Sequence, residues 1–178
     1  MRRLLINTTV FAIILNLMFI PAQNVSYAVN EQQSYDKAVG ALLSFDILLG
    51  EFEDISQDEL LTREQVAMWL YRLTEQNVEY EVSTFSDVPV GSQYANAILS
   101  LSEKGIISGY PDGKFRPLEP IQYAQFAKIL VDLLGYGKTA SIYGGYPLGY
   151  LRVASSLKIE APVYPRQNQQ LTVGQGAQ

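Results

Sequence analysis

The stretch GIISGYPDGKFRP, Gly105 to Pro117, holds three glycines, two prolines and an Asp-Gly pair within thirteen residues. Glycine allows positive φ, proline restricts φ, and Asp-Gly is a strong turn signal. The stretch follows an apolar run with helical spacing, so we expect a loop of fixed shape after a helix. Asp112-Gly113 reads most simply as a turn. A calcium loop is disfavoured because Lys114 and Arg116 follow it, not further acids.

Helices are predicted on both sides of this loop. Before it, YANAILSLSEKG starts at Tyr94, has apolar residues at helical spacing, and reaches Gly105 as a helix-ending residue. After it, IQYAQFAKILVDLLGY is expected to end at Gly135. The apolar face of this second helix is predicted to comprise Ile121, Ala124, Phe126, Ala127, Leu130 and Leu134. With FSDV (Phe85–Val88) at its start, this second segment reads as helix, loop, helix.

Two other segments follow the same order of elements. The first segment, Tyr35–Gln76, has a helix ending at Gly50, an acidic loop, and a second helix opening LTREQVAMWLYRL, in which Thr62 and Gln65 form a predicted capping box. The third has YPLGYLRVASSLKI at 146–159, a loop rich in Pro and Gln, and LTVGQGAQ to residue 178.

The spacing of the helix starts supports a repeat. The residues that open the three second helices are 60 and 50 residues apart in sequence: Leu61, Ile121 and Leu171. The difference falls in the linkers, where EQNVEYEVST and GYGKTASIYGGYP are predicted to be loops.

The N-terminus is predicted to be an export signal. Arg2 and Arg3 precede an apolar run over Val10–Ile20, and Ser26 and Ala28 supply the small residues of a cleavage site. The alternative is a retained membrane anchor. The run is about half of the roughly 20 apolar residues that a spanning helix needs, so the protein is not expected to be transmembrane after cleavage. The predicted division is a signal peptide and three repeats, the last truncated: 1–28, 29–80, 81–138 and 139–178.

Composition excludes several functional classes. The chain has no cysteine and no histidine, which excludes disulfides, thiol catalysis, Cys/His zinc sites and His-based triads. Its net charge is −5 with no basic cluster, so nucleic acid is not expected as a partner. The acids of EFEDISQDEL lie in one polar loop with nothing to raise a pKa, so we expect no enzyme, no catalytic residue, no metal and no cofactor.

The second segment resembles the S-layer homology (SLH) repeat. That pattern runs from an FxDV start, through a Trp-led helix and a GYPDGxFxP loop, to an I-T-R-A-E helix start. FSDV, Tyr94 before ANAI, and GIISGYPDGKFRP carry the resemblance. The first and third segments match by general pattern.

The resemblance implies a mainly α fold of three helix-loop-helix SLH repeats in a pseudo-threefold arrangement, with short irregular or strand-like loop segments. It also implies a secreted protein of the cell wall, S-layer or cell surface. Its expected partner is pyruvylated secondary cell-wall polysaccharide, linked to peptidoglycan and bound non-covalently in grooves between repeats. The oligomeric state is left open.

A pyruvate ketal places a fixed carboxylate on a sugar, and a helix N-terminus with an arginine is suited to bind it. The resemblance implies a glycan-binding set drawn from helix starts, loop and aromatic residues: Arg63, Thr62, Tyr35, Tyr94, Gly109, Asp112, Arg116 and Tyr123. Thr62-Arg63 retain the Thr-Arg of the pattern, whereas Tyr123 and Val173 stand where it has Arg. Tyr35 and Tyr94 stand where it has Trp.

For several of these residues the sequence leaves two interpretations. Arg63 is either a ligand contact or a surface helix residue paired with an acid, and Arg116 either lines a groove or covers the loop. Asp87 is a helix cap or part of a loop network. Packing is favoured over sugar contact for Tyr94, Tyr110 and Phe115. The only tryptophan, Trp69, is predicted to lie in the core. The rival to glycan binding is a degenerate SLH scaffold that binds protein or only packs.

Overall fold

The computed structural model describes residues 36–37, 40, 56, 58–74, 78–159 and 166–177. The predicted signal peptide, Tyr35 and most of the first helix predicted for the first segment lie outside these ranges. The described ranges contain six helices with defined bounds: α1 (Arg63–Leu73), α2 (Ala95–Glu103), α3 (Tyr123–Leu133), α4 (Gly137–Ile142), α5 (Leu148–Ser156) and α6 (Val173–Ala177). Extended pairing in the same ranges is limited to three isolated bridges, so the prediction of a mainly α fold is confirmed.

The three predicted helix starts meet in a closed ring of backbone hydrogen bonds. The Leu61 N–H donates to Leu171 O at 2.8 Å, the Ile121 N–H to Leu61 O at 2.8 Å, and the Leu171 N–H to Ile121 O at 3.0 Å. All three side chains are at most 1% exposed. Residues 60–62, 120–122 and 170–172 therefore join the three segments at the centre of the protein, and α1, α3 and α6 each begin at this ring.

Side-chain caps explain where these three helices begin. Thr62 caps α1 and forms a capping box with Gln65, as predicted. Gln122 and Gln125 form the same reciprocal pair at α3, and the Thr172 and Gln175 side chains each accept a hydrogen bond from the other residue's N–H. Each cap satisfies backbone donors that a helix start leaves without intrahelical partners.

Glycines end α2 and α3, as the sequence predicts. Gly105 has φ +69°, and the Ile106 N–H returns to Leu101 O at 2.9 Å. Gly135 has φ +82°, and the Tyr136 N–H returns to Val131 O at 2.9 Å. Both ends are Schellman turns, in which glycine adopts the left-handed conformation without steric cost.

The core lies around the ring and between the helices. One cluster includes the ring residues, Phe115 and Trp69, which is 5% exposed, so its predicted core position is confirmed. A second cluster joins α3, α4 and α5 through Ala127, Val131, Ala140, Tyr150, Val153 and Ala154. Each large apolar side chain buried here contributes roughly 1.5–3 kcal/mol.

Two predictions about the region after α3 are wrong. The linker GYGKTASIYGGYP was expected to be a loop, but it contains α4, whose Ala140 is fully buried. Gly149 of α5 lies directly against the Ala140 carbonyl, so close helix packing stabilises this short helix. Leu134 was placed on the buried face of α3 but is 54% exposed, because the helix ends before it.

Among the described helices, none is long and apolar enough to cross a membrane.

Candidate functional site

The start of α1 lies on the loop of the second segment. The Arg63 N–H donates to Glu119 O at 3.1 Å, and the Glu64 N–H donates to Pro117 O at 3.0 Å. The ring of backbone hydrogen bonds explains these contacts, because it places the first residues of α1, α3 and α6 each beside a loop from another segment. The arginine of the first segment therefore meets the GYPDGKF loop of the second.

Arg63 is buried in this junction, with 6% of its surface exposed. Its Nε donates to Phe115 O and its Nη2 to Ser108 O, both at 2.9 Å. The guanidinium carbon also lies 4.4 Å from the ring centre of Phe115 and 5.0 Å from that of Tyr110. The interpretation of Arg63 as a surface residue paired with an acid is wrong, because loop carbonyls and aromatic rings surround it.

Burial lowers the pKa of Arg63 because it disfavours the charged form, while Tyr110 and Glu119 oppose that shift. Arginine begins from so high a pKa that it stays charged at neutral pH. The junction therefore holds a fixed positive charge beneath the loop.

The loop is shaped by a turn and by one carboxylate. The Gly113 N–H donates to Tyr110 O at 3.0 Å with Gly113 at φ +76°, which confirms the predicted turn. The Asp87 carboxylate accepts the backbone N–H groups of Phe115 at 2.8 Å and Arg116 at 2.7 Å. Partial burial acts to raise the pKa of Asp87, but backbone hydrogen bonds, together with the nearby charge of Lys114, outweigh it and lower the pKa. Asp87 is thus part of the loop network.

Arg116 extends from the top of this loop over Tyr110. Its guanidinium carbon lies 4.0 Å from the Tyr110 ring centre, and its Nη2 and Nη1 contact Asp112 at 3.1 Å and Glu119 at 3.5 Å. The Tyr110 hydroxyl donates to Glu119 at 3.2 Å and accepts from Gln125 Nε2 at 3.2 Å. The hydrogen bond from Arg116 lowers the pKa of Asp112, and the same bond raises the pKa of Arg116.

We call the group of Arg63, Tyr110, Asp112, Arg116 and Glu119 the Tyr110 cluster. It has a buried cation below the tyrosine ring, an exposed cation against it, and two acids around the exposed cation. Arg116 has φ +59°, which is uncommon for a residue with a side chain. Such strained positions occur often at functional sites, so this one marks the cluster as a candidate site.

Comparison with known proteins bears on the loop that builds this cluster. The family profile of the S-layer homology domain matches residues 84–127, which include FSDV, α2, the loop and the start of α3.

The chain carries an S-layer homology domain.

Similar proteins agree with this assignment. A surface layer protein of Brevibacillus choshinensis is 26% identical over 147 residues, covering 80% of this chain and 13% of that protein. The outer membrane protein SlpA of Thermus thermophilus is 40% identical over 62 residues, covering 35% and 7%. The middle cell wall protein of Brevibacillus brevis is 29% identical over 106 residues, covering 57% and 10%. The chain therefore spans a small part of each relative's length.

The SLH domain and these relatives place the chain at the cell surface, which confirms the predicted localisation. In the described part of the chain, no group of three or more Asp and Glu side chains is arranged to hold a metal ion.

The structure brings together only part of the predicted site. Arg63, Asp112 and Arg116 meet at the Tyr110 cluster, whereas Thr62 acts as the cap of α1. Gly109 has a packing role, because a Cβ there would clash with the Phe85 ring and lie 2.8 Å from Lys114 O.

Of the three tyrosines in the predicted set, Tyr35 lies outside the described residues, and the other two lie away from the cluster. Tyr94 packs against the core. Tyr123, in the position equivalent to Arg63, lines an apolar cavity of about 330 Å³ between α1, α3 and α6. It is therefore not part of the Tyr110 cluster.

Sequence reasoning missed Glu119 and Gln125 and treated Tyr110 as a packing residue. Tyr110 is only partly buried, and it is the residue that both cations contact. Its place in the GYPDG turn was a usable signal, because a turn raises its flanking side chains to the surface. Glu119 and Gln125 were not detectable, because their contacts depend on how the loop folds back over α3.

Proposed function

We propose that this chain attaches non-covalently to the cell envelope by binding a pyruvylated secondary cell-wall polysaccharide at the Tyr110 cluster. The observation that carries the proposal is that Arg63 and the intact SLH loop converge on one tyrosine, with Arg116 exposed beside it. The ring of backbone hydrogen bonds further supports three SLH repeats in a pseudo-threefold arrangement, with the ligand between the first and second repeats.

The chemistry of the cluster suits a sugar that carries a carboxylate. Arg116 offers a planar fork of donors for the carboxylate, and when Arg116 turns from the Tyr110 ring to that carboxylate, the ring offers an amphipathic surface for a pyranose. Arg116 now contacts Asp112 and Glu119, but exposed ion pairs of this kind are weak, so a ligand carboxylate competes with them. Arg63 adds positive charge from below and holds the loop, since its two hydrogen bonds go to loop carbonyls.

A second candidate function is a protein-binding or structural envelope scaffold without glycan binding. The burial of Arg63 favours it, because a guanidinium held by Phe115 O and Ser108 O contributes to packing. The apolar cavity beside Tyr123 favours it as well, because apolar concave surfaces are typical of protein contacts.

Wall binding by a matched pair of variants separates the two functions. Arg166 occupies the position in the third segment that Arg116 occupies in the second, since the Gln169 N–H donates to Arg166 O as the Glu119 N–H donates to Arg116 O. Both arginines are exposed, so neither Arg116→Ala nor Arg166→Ala removes a buried side chain. The assay is co-sedimentation of the purified chain with wall sacculi, before and after chemical removal of the secondary polysaccharide.

Glycan binding predicts co-sedimentation that depends on the polysaccharide, a loss of at least tenfold in affinity for Arg116→Ala, and little change for Arg166→Ala. The scaffold function predicts equal behaviour of the two variants. Equal sedimentation with intact and stripped sacculi would rule out the glycan.

A further inference from the structure

A groove borders residues 107–110 of the loop. It has a volume of about 590 Å³, within the range of roughly 300–1,000 Å³ that small-ligand sites occupy. Its lining combines the aromatic residues Tyr80, Phe85 and Tyr110 with polar groups from Ser102, Glu103 and Ser108. A mixture of flat aromatic and hydroxyl-binding groups is suited to a sugar.

One wall of this groove is held by a tyrosine–carboxylate pair. The Tyr80 hydroxyl donates to Glu103 Oε2 at 2.6 Å, and the Tyr80 N–H donates to Asn96 Oδ1 at 3.3 Å. The first bond fixes the tyrosine ring in place and leaves the other carboxylate oxygen of Glu103 with capacity to accept a hydroxyl. Tyr80 and Glu103 come from the linker and the end of α2, so they lie outside the loop that builds the Tyr110 cluster.

The groove adjoins the Tyr110 cluster. Tyr110 is a member of both, and Ser108, which lines the groove, accepts the Nη2 hydrogen bond of Arg63 through its carbonyl. The cluster holds two arginines balanced by Asp112 and Glu119, while the described lining of the groove includes Glu103 and neither Lys nor Arg. The exposed guanidinium of Arg116 can pair with a ligand anion, whereas Glu103, with no cation in the described lining, opposes an anion in the groove.

We propose that this groove is a subsite for an uncharged sugar residue next to the anionic residue at the Tyr110 cluster, so that a glycan chain crosses over Tyr110. The proposal rests on the proposed function and extends it from one sugar to at least two. Tyr80 and Glu103 contact the uncharged residue, and Tyr110 separates the two positions.

The test compares short and long fragments of the purified wall polysaccharide by titration calorimetry. One fragment is the single pyruvylated sugar, and the other is an oligosaccharide in which uncharged sugars flank it. The variants are Tyr80→Ala and Glu103→Ala, with Tyr136→Ala as the control, because Tyr136 is exposed and lies outside both sites. Trp69 fluorescence verifies that each variant is folded, since this buried residue is the only tryptophan.

We expect the unmodified chain to bind the oligosaccharide about tenfold more tightly than the single sugar. Tyr80→Ala and Glu103→Ala should remove most of that gain and leave the affinity for the single sugar within about twofold. A gain that persists in both variants overturns the subsite and leaves the proposed function intact. No binding of either fragment by the unmodified chain overturns the proposed function and, with it, the subsite.

Discussion

Replacing the buried arginine should destabilise the protein far more than replacing the exposed one. Arg63→Met keeps an apolar stem of similar length but removes the guanidinium that donates to Phe115 O and Ser108 O. Phe115 is buried, so losing its charge-assisted bond costs about 1.5–3 kcal/mol. Ser108 is exposed, so its carbonyl regains water and adds about 0.5 kcal/mol at most.

Two further contributions to the free energy of unfolding act in opposite directions. Loss of the contact with the Phe115 ring costs about 0.5–2 kcal/mol, while removal of a buried charge recovers part of its desolvation penalty. The net expectation is a loss of about 2–4 kcal/mol, a large fraction of the roughly 5–15 kcal/mol that a domain has.

Urea unfolding followed by Trp69 fluorescence measures this loss. With a urea dependence of about 2 kcal/mol/M, in the middle of the usual range, the midpoint should fall by about 1–2 M in Arg63→Met. Arg116→Met is the control and should shift the midpoint much less, because its ion pairs are exposed to water. Equal midpoints for Arg63→Met and the unmodified chain would refute the role of Arg63 as the support of the loop.

Three other predictions concern the loop and the ring. Gly109→Ala should cost about 1–3 kcal/mol in urea unfolding, because its Cβ would overlap the Phe85 ring, whereas Gly40→Ala, with open space around it, should cost nothing. Asp87 has a lowered pKa in the folded state, so its carboxylate stabilises the fold above the ordinary pKa of 3.8, and this contribution is lost as the pH falls through the folded value. Urea midpoints at pH 6 and pH 3 should therefore differ more in the unmodified chain than in Asp87→Asn, and equal differences would contradict the loop network. Leu171→Ala should lower the free energy of unfolding by about 2–5 kcal/mol, because this side chain is fully packed in the ring, and a loss below about 1 kcal/mol would show that the third segment is not part of the core.

Local features of the fold were predictable because they depend on short-range chemistry. Thr62 with Gln65 marks a helix start through side-chain caps, and Gly105 and Gly135 mark helix ends through positive φ. Each signal involves residues only a few positions apart, so the sequence displays it directly. The short helix α4 was missed because its stability comes from packing of Ala140 against α5 and not from its Gly- and Tyr-rich sequence.

The site was only partly predictable because it is assembled from two segments. Arg63 reads locally as an exposed first-turn residue, and nothing near it in sequence shows that a loop 45–52 positions away covers it. Tyr123 has the equivalent position in the second segment, yet it lies at the apolar cavity. The backbone at the start of α3 is hydrogen-bonded to the loop of the third segment, whereas the start of α1 is hydrogen-bonded to the loop of the second. Equivalent sequence positions thus meet different partners, and only the ring determines which partner each one meets.

Glycan binding at the Tyr110 cluster is tested most directly by mapping backbone amide shifts while the isotope-labelled chain is titrated with purified wall polysaccharide. A ligand at the Tyr110 cluster should shift the amides of residues 108–110, 112–116 and 119 and leave those of residues 166–170, in the equivalent loop of the third segment, unchanged. Shifts confined to the third-segment loop or to the apolar cavity, or no shifts at saturating polysaccharide, would contradict glycan binding at the Tyr110 cluster.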